Sequence, residues 1–160
     1  MGAQSEFARR LFAGMWFAVA ALIPVAYYFL LSRTDWGPQF GAAGLPIFGG
    51  SSALTAGAPV LVAGICGLLL GSTILDAEET RSAGHAIARG LMIALLSYLL
   101  LFTSTAVVLA FNSDDLVGLV VFLVITFLYG LLVVGWLVAG VGAVAGWLLY
   151  RYGLAVNKEA

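Results

Sequence analysis

The stretch IARGLMIALLSYLLLFTSTAVVLAF, residues 87–111, carries a single charged side chain, Arg89, in 25 residues. A helix of about 20 apolar residues crosses the roughly 30 Å hydrocarbon core of a bilayer, because each residue adds about 1.5 Å. The stretch therefore predicts a transmembrane helix. It also decides the fold class, since uninterrupted apolar runs of this length are typical of membrane proteins.

Three other segments are long and apolar enough to span a membrane: residues 11–31, residues 54–75, and a run that begins at Leu116, where we place the fourth span at 116–140. The sequence thus predicts an all-α integral membrane protein. We expect one transmembrane domain, residues 1–160, folded as a four-helix transmembrane bundle with glycine-rich helix packing.

The fourth apolar run continues to Tyr150 and is longer than one span requires. As a straight helix, residues 116–150 would measure about 52 Å. We expect residues 141–152 to form a helix extension, kinked at glycines, or an inner-interface segment; two short passes joined near Gly140, giving five spans, are the alternative. Side chains typical of an interfacial anchor occur here: Trp147, Tyr150, Arg151 and Tyr152.

Composition excludes several functional classes. Hydrophobic residues make up 62% of the chain and charged residues 9%, against about a quarter in soluble proteins. The formal net charge of −1 leaves no basic surface for nucleic acid. One cysteine, Cys66, and one histidine, His85, cannot form an internal disulfide, a cysteine zinc cluster or a bis-histidine haem site. We expect no metal and no cofactor, and a buried apolar role for Cys66.

Basic residues in short flanking segments set the orientation of membrane helices. Six of the seven fall on one side of the predicted spans, and the seventh is Arg33. The six are Arg9, Arg10, Arg81, Arg89, Arg151 and Lys158. Because basic segments stay in the cytoplasm, we predict a plasma membrane protein with both termini cytoplasmic.

The first external connection, residues 32–59, is rich in Gly, Pro and Ser, which interrupt regular structure. We expect a loop on the membrane surface. Within it the apolar sequence LPIF, residues 45–48, leaves a re-entrant or gating segment as the alternative.

Small residues at a spacing of four predict close helix packing. They let helix backbones approach, and dispersion then drives association because lipid supplies no hydrophobic force between helices. The candidate packing residues are Gly67, Gly71, Gly135, Ala139, Gly142 and Gly146, with Ala143 in the same pattern. Their partner is another helix of this chain, a second copy, or another membrane protein.

Residues 71–90, GSTILDAEETRSAGHAIARG, concentrate the charged side chains between two apolar segments. Asp76 and Glu79 have the spacing of a capping box at a helix start. Arg81, His85 and Arg89 recur every four residues and form a basic stripe suited to anionic lipid headgroups or to a docking partner. A catalytic or metal site at His85 is the least favoured interpretation, because a nucleophile and a second strong ligand are not visible.

Hydroxyl groups are the polar groups left inside the predicted spans. Ser97 and Ser104 are seven residues apart on one helical face, and Thr105 adjoins the second. We expect them to make helix-to-helix hydrogen bonds; a polar path for a small neutral or lipid-like solute is the alternative.

Together these patterns favour a non-catalytic membrane subunit or scaffold that packs through small-residue faces in a homo-oligomer or larger complex. A transporter or channel component is the second hypothesis, and an inner-leaflet lipid-modifying enzyme the third. The expected partners are the lipid bilayer and another membrane protein or a second copy, and not nucleic acid.

The predicted orientation can be tested by cysteine labelling in a Cys66→Ser background. A membrane-impermeant thiol reagent should label Ser113→Cys in intact cells and should label Ser82→Cys only after permeabilisation, because the segment 112–115 is predicted outside and the loop 76–89 inside. The reverse pattern would overturn the orientation.

Overall fold

A computed structural model describes residues 3–32, 52–75, 82–111 and 114–159 of the chain, and in these ranges every regular element is a helix. The elements are α1 (Ala3–Ser32), α2 (Ser52–Leu70), α3 (Ser72–Leu75), α4 (Ala83–Phe111), α5 (Leu116–Gly130), a π turn (Leu131–Gly135) and α6 (Trp136–Glu159). The all-helical prediction is confirmed for this part of the chain.

Three of these helices are long and apolar enough to cross a membrane, over Glu6–Tyr27, Ala83–Ser104 and Trp136–Leu154. A shorter apolar stretch, Gly57–Leu70, lies in α2. The apolar helices indicate a membrane protein. The third of them lies largely beyond the 116–140 segment in which we predicted the fourth span.

The connection between α4 and α5 lies where the sequence changes from apolar to polar. α4 ends at Phe111 and α5 begins at Leu116. Asp115 is the N-cap of α5, and its Oδ1 accepts a hydrogen bond from the Gly118 backbone N–H at 3.0 Å. The cap satisfies one of the N–H groups that the first turn of a helix leaves without a partner.

The fourth apolar run forms a continuous helical segment from Leu116 to Glu159, about 66 Å long if straight. Its one irregularity is the π turn, Leu131–Gly135, and not the glycines at which we expected a kink. Gly140 lies inside α6, so the alternative in which two passes are joined near Gly140 is wrong.

α1 and α2 form one antiparallel pair, in contact at small residues. A Cβ built on Gly67 would lie 2.8 Å from the Phe17 Cβ and 3.0 Å from the Ala13 carbonyl oxygen. One built on Gly14 would lie 3.0 Å from the Gly64 carbonyl oxygen. The backbones are therefore too close for any larger side chain at these positions.

α4 and α6 form a second antiparallel pair of the same kind. Gly90 faces Gly142 and Gly146 so closely that a Cβ on Gly90 would lie 2.8 Å from the Gly146 Cα. A Cβ on Gly142 would overlap that of Ala94, and one on Gly146 the carbonyl oxygen of Ala86. The spacing of four on each helix brings small residue against small residue along the contact.

The two pairs meet in a shared core. The Trp16 indole Nε1–H of α1 donates a hydrogen bond to the Ala145 carbonyl of α6 at 3.1 Å. The buried cluster around it contains Ala13, Phe17, Cys66, Ile74, Leu75, Ala86, Ile93, Ala145 and Leu149. Cys66 is buried within this cluster, as predicted.

Substitution of Gly90 should reveal how much the fold depends on this close approach. Gly90→Ala forces a methyl group against the α6 backbone, and overpacking of this kind costs about 1–3 kcal/mol. The matched control is Gly140→Ala in α6, where an added Cβ would meet nothing within 4 Å. Thermal unfolding in detergent should show a lower midpoint for Gly90→Ala alone; an unchanged midpoint would contradict the close contact.

Candidate functional site

Arg89 is the seventh residue of α4, and its side chain reaches back toward the start of that helix. Its Nη1 donates a hydrogen bond of 2.6 Å to the Thr73 carbonyl at the end of α3. Helical side chains lean toward the N-terminus of their own helix, so this direction is the natural one. Carbonyls in the last turn of a helix lack intrahelical partners, so a guanidinium N–H is a favourable partner for them.

The predicted basic stripe is therefore divided. Arg89 is half-buried and binds the protein's own backbone, whereas His85 is exposed in the first turn of α4. Arg81 and the predicted capping box, Asp76 and Glu79, lie outside the described residues. Contact of the stripe with lipid or a partner stays a prediction.

Ser82 and His85 form a local pair at the start of α4. The Ser82 Oγ accepts the His85 backbone N–H at 3.4 Å and lies 3.0 Å from the His85 Nδ1. In the tautomer with the proton on Nε2, the hydroxyl donates to Nδ1. Both side chains are exposed, so the pair resembles a helix cap more than a nucleophile and base shielded from water. Within the described ranges, His, Cys, Asp and Glu form no group of three or more that could hold a metal ion.

Ser97 and Ser104 bind carbonyls of their own helix, α4, and not those of a neighbouring helix as we expected. Ser97 donates to the Ile93 carbonyl at 2.7 Å, and Ser104 donates to the Leu101 carbonyl at 2.8 Å. Ser97 is buried and Ser104 is exposed, so the two do not line one enclosed face. The side chain of Thr105 lies outside the description. Bonds of this type satisfy a hydroxyl in an apolar surrounding without a neighbouring helix.

Four of the six predicted packing residues contact another helix of the same chain. Gly67 and Gly71 lie against α1, and Gly142 and Gly146 lie against α4. A Cβ on Gly135 would meet Leu131 of its own turn at 3.2 Å, and Ala139 is half-buried.

The prediction missed the residues on the other side of these contacts. They are Ala13, Gly14 and Ala18 of α1 in the first pair and Ala86, Gly90 and Ala94 of α4 in the second. Ala86, Gly90 and Ala94 have the same spacing of four as the predicted glycines, and this spacing was the signal available in the sequence.

Aromatic and basic side chains gather at the C-terminal end of α6. The Tyr152 ring stacks on Phe12 of α1 with centroids 4.9 Å apart, and the Arg151 guanidinium lies 5.5 Å from the centre of the Trp147 ring. Trp147, Arg151 and Tyr152 belong to the predicted interfacial anchor. Rings and a cation at one helix end suit the headgroup region of a bilayer.

Comparison with protein families, with curated proteins and with solved structures found no match to this chain. Any functional conclusion therefore depends on the residues themselves.

Loss of the Arg89 contact should loosen the α3–α4 connection. Arg89→Gln removes a hydrogen bond from a charged donor, which is worth about 1.5–3 kcal/mol, so the free energy of unfolding should fall by that amount. Arg9→Gln, at an exposed position on α1, is the control and should change it by less than about 0.5 kcal/mol. Chemical unfolding in mixed micelles, followed by circular dichroism, measures both. Equal stability of the two variants would show that Arg89 is not a structural link.

Proposed function

We propose that the chain is a four-span plasma membrane protein with both termini in the cytoplasm, and that it acts as a non-catalytic subunit of a larger membrane assembly. The three long apolar helices and the shorter apolar helix α2 support the four spans. The excess of Lys and Arg on one side of these segments supports the orientation.

The assembly surface that the contacts favour is not the glycine pairs, because Gly67, Gly71, Gly142 and Gly146 already pack inside the chain. It is one side of α5, which we call the α5 outer face: Val117, Val121, Val124, Ile125 and Leu128. All five are exposed, Val117 to 76%. Their spacing of three and four residues places them on one side of the helix.

The opposite side of α5 carries its contacts. Leu119, Leu123 and Phe127 are half-buried and recur every four residues. The Phe127 ring lies 5.9 Å from that of Tyr98 and 4.9 Å from that of Phe102, both on α4. Among the described side chains of α5, the contacts with its neighbour lie along one narrow stripe, and the α5 outer face is turned away from it.

β-Branched side chains make this face suitable for association. Four of its five residues are Val or Ile, which have essentially one rotamer in a helix. They lose little side-chain entropy when a second surface packs on them. In lipid, where the hydrophobic effect does not drive helices together, packing with little entropy loss is a main source of affinity.

A test of this proposal uses the tagged protein in its native membrane, with mild extraction and native mass spectrometry. Val121→Trp and Ile125→Trp place a bulky ring on the α5 outer face. The matched controls are Val19→Trp and Leu22→Trp, at exposed apolar positions on α1. We expect the wild type to be recovered with a partner in fixed stoichiometry, either another membrane protein or a second copy, and only the α5 variants to lose it.

Recovery of the wild type as a monomer would overturn the subunit function. If the α1 and α5 variants lose the partner equally, the protein is still a subunit of an assembly, but the α5 outer face is not the surface that binds the partner.

The two other hypotheses have less support in the contacts. A solute path through α4 would need hydroxyls aimed at a common space, whereas Ser97 and Ser104 bind their own helix. A lipid-modifying enzyme would need Ser82 and His85 to act in a site that excludes water, whereas both are exposed. Solute flux into liposomes that depends on Ser97, or an activity that is lost with His85→Ala while insertion persists, would favour one of these hypotheses over the subunit.

A further inference from the structure

One face of α6 combines exposed aromatic rings, an open glycine and a cation. We call it the α6 lipid face: Trp136, Gly140, Val144, Trp147 and Arg151. Their spacing of four, four, three and four residues keeps them within one side of the helix. All five are exposed. The opposite side of α6, with Gly142, Gly146 and Leu149, is buried in the bundle.

We propose that the α6 lipid face binds one phospholipid with an anionic headgroup. Its phosphate contacts Arg151, and one acyl chain follows Trp147 and Val144 to the gap at Gly140. The proposal rests on the membrane insertion of α6 and goes beyond the assembly function, which uses α5.

The headgroup position follows from the geometry of Arg151. Its guanidinium lies 5.5 Å from the centre of the Trp147 ring, within the range of a cation–π contact. A guanidinium can stack on an aromatic face and still direct its N–H edge elsewhere, where it can make paired hydrogen bonds to phosphate oxygens. Trp147 thus holds the cation at the helix end, and the phosphate supplies the charge that complements it.

The acyl chain position follows from length and shape. Gly140 lies 11 residues before Arg151, about 16 Å along the helix, close to half of the roughly 30 Å hydrocarbon core. A Cβ added at Gly140 would meet nothing within 4 Å, so the surface has a gap there. Val144, one turn after Gly140, borders the gap on one side. Trp136, one turn before it, borders the gap on the other side, and its ring also contacts that of Tyr27 on α1 with centroids 6.3 Å apart. A chain of one leaflet would therefore end in the gap.

For the part of the chain whose side chains are described, charge favours a lipid over a second copy. A protein helix that covered the α6 lipid face would have to bring an acidic side chain to Arg151, since burial of an unpaired cation is costly. Of the acidic side chains that the structure describes, Glu6 pairs with Arg10, while Asp114 and Asp115 lie just before α5, at the far end of the helical segment that contains Arg151. An anionic lipid has both the charge and the length that the face requires.

The test uses the full-length protein, purified and delipidated in a mild detergent. Phosphatidylglycerol and phosphatidylcholine with the same acyl chains are titrated separately, and native mass spectrometry measures the bound lipid. We expect one phosphatidylglycerol to be retained and phosphatidylcholine to bind at least about tenfold more weakly, because only the anionic lipid leaves an uncompensated phosphate charge for Arg151.

Two variants separate headgroup from chain. Arg151→Gln should weaken phosphatidylglycerol binding about tenfold or more, the usual effect of losing a hydrogen bond to a charged group. Arg10→Gln, which removes the same charge from another helix, should not weaken it. Gly140→Leu fills the gap and should weaken the binding of long-chain phosphatidylglycerol. It should not change the binding of dihexanoyl phosphatidylglycerol, whose short chains do not reach Gly140. Arg10, Gly140 and Arg151 are all exposed, so none of the three substitutions disturbs a buried contact. Thermal unfolding checks that each variant is folded.

Equal binding of both lipids, or equal loss from Arg10→Gln and Arg151→Gln, would overturn the proposal. So would a dimer that Gly140→Leu disrupts, because a second copy would then occupy the face. If the folded protein fails these lipid tests but the α5 variants still lose the partner, only the lipid site is contradicted. If the lipid tests succeed but the wild type is recovered without a partner, only the assembly function is contradicted.

Discussion

The contact of helix backbone with helix backbone at small residues is the constraint from which the rest of this structure follows. Inside a bilayer, apolar side chains gain nothing by leaving lipid for one another, so helices associate through close fit and dispersion. Gly90 against Gly142 and Gly146, and Gly67 against Ala13 and Phe17, provide that fit. Each pair of helices places its smallest side chains at the closest backbone contacts, and larger apolar side chains such as Phe17, Ile93 and Leu149 pack around them.

This arrangement inverts the usual pattern of a soluble protein. Large apolar side chains such as Val19, Leu61 and Leu132 are exposed, while the buried side includes Ala13, Ala86 and Gly146. Several polar groups of the described helices are hydrogen-bonded to the protein's own backbone. Ser97 donates to its own helix, Arg89 binds the carbonyl at the end of α3, and Asp115 caps α5. The Ser97 bond satisfies a buried hydroxyl inside a predicted span, where water is not available as a partner.

The sequence predicts the helices far better than their contacts. Apolar length and polar breaks locate Phe111 and Leu116 as ends of helices, because these signals are local. The spacing of the glycines in α2 and α6 predicted that they pack against another helix. It did not predict that the partner helices are α1 and α4, because a spacing of four residues describes one helix and not its neighbour. The role of Arg89 was missed for the same reason: its partner, Thr73, is 16 residues away, and spacing alone suggested a surface stripe. The α5 outer face and the α6 lipid face could not be predicted from the sequence, because apolar residues occur all around both helices and only the structure shows which of them are exposed.

The π turn at Leu131–Gly135 has a consequence for rotation about the helix axis. In an ideal α-helix each residue turns the chain by 100°, so the α5 stripe at Leu123, Phe127 and Gly130 would be rotated by roughly 110° from Gly142 and Gly146 on α6. Both sets nevertheless face α4: Gly130 and Phe127 lie against Tyr98, and Gly142 lies against Ala94. A π turn accommodates one extra residue, which takes back about 100° of rotation. The π turn therefore rotates α6 relative to α5 about the common helix axis. As a result, Phe127 and Gly130 before the turn and Gly142 and Gly146 after it all face α4, although they belong to one uninterrupted helical segment.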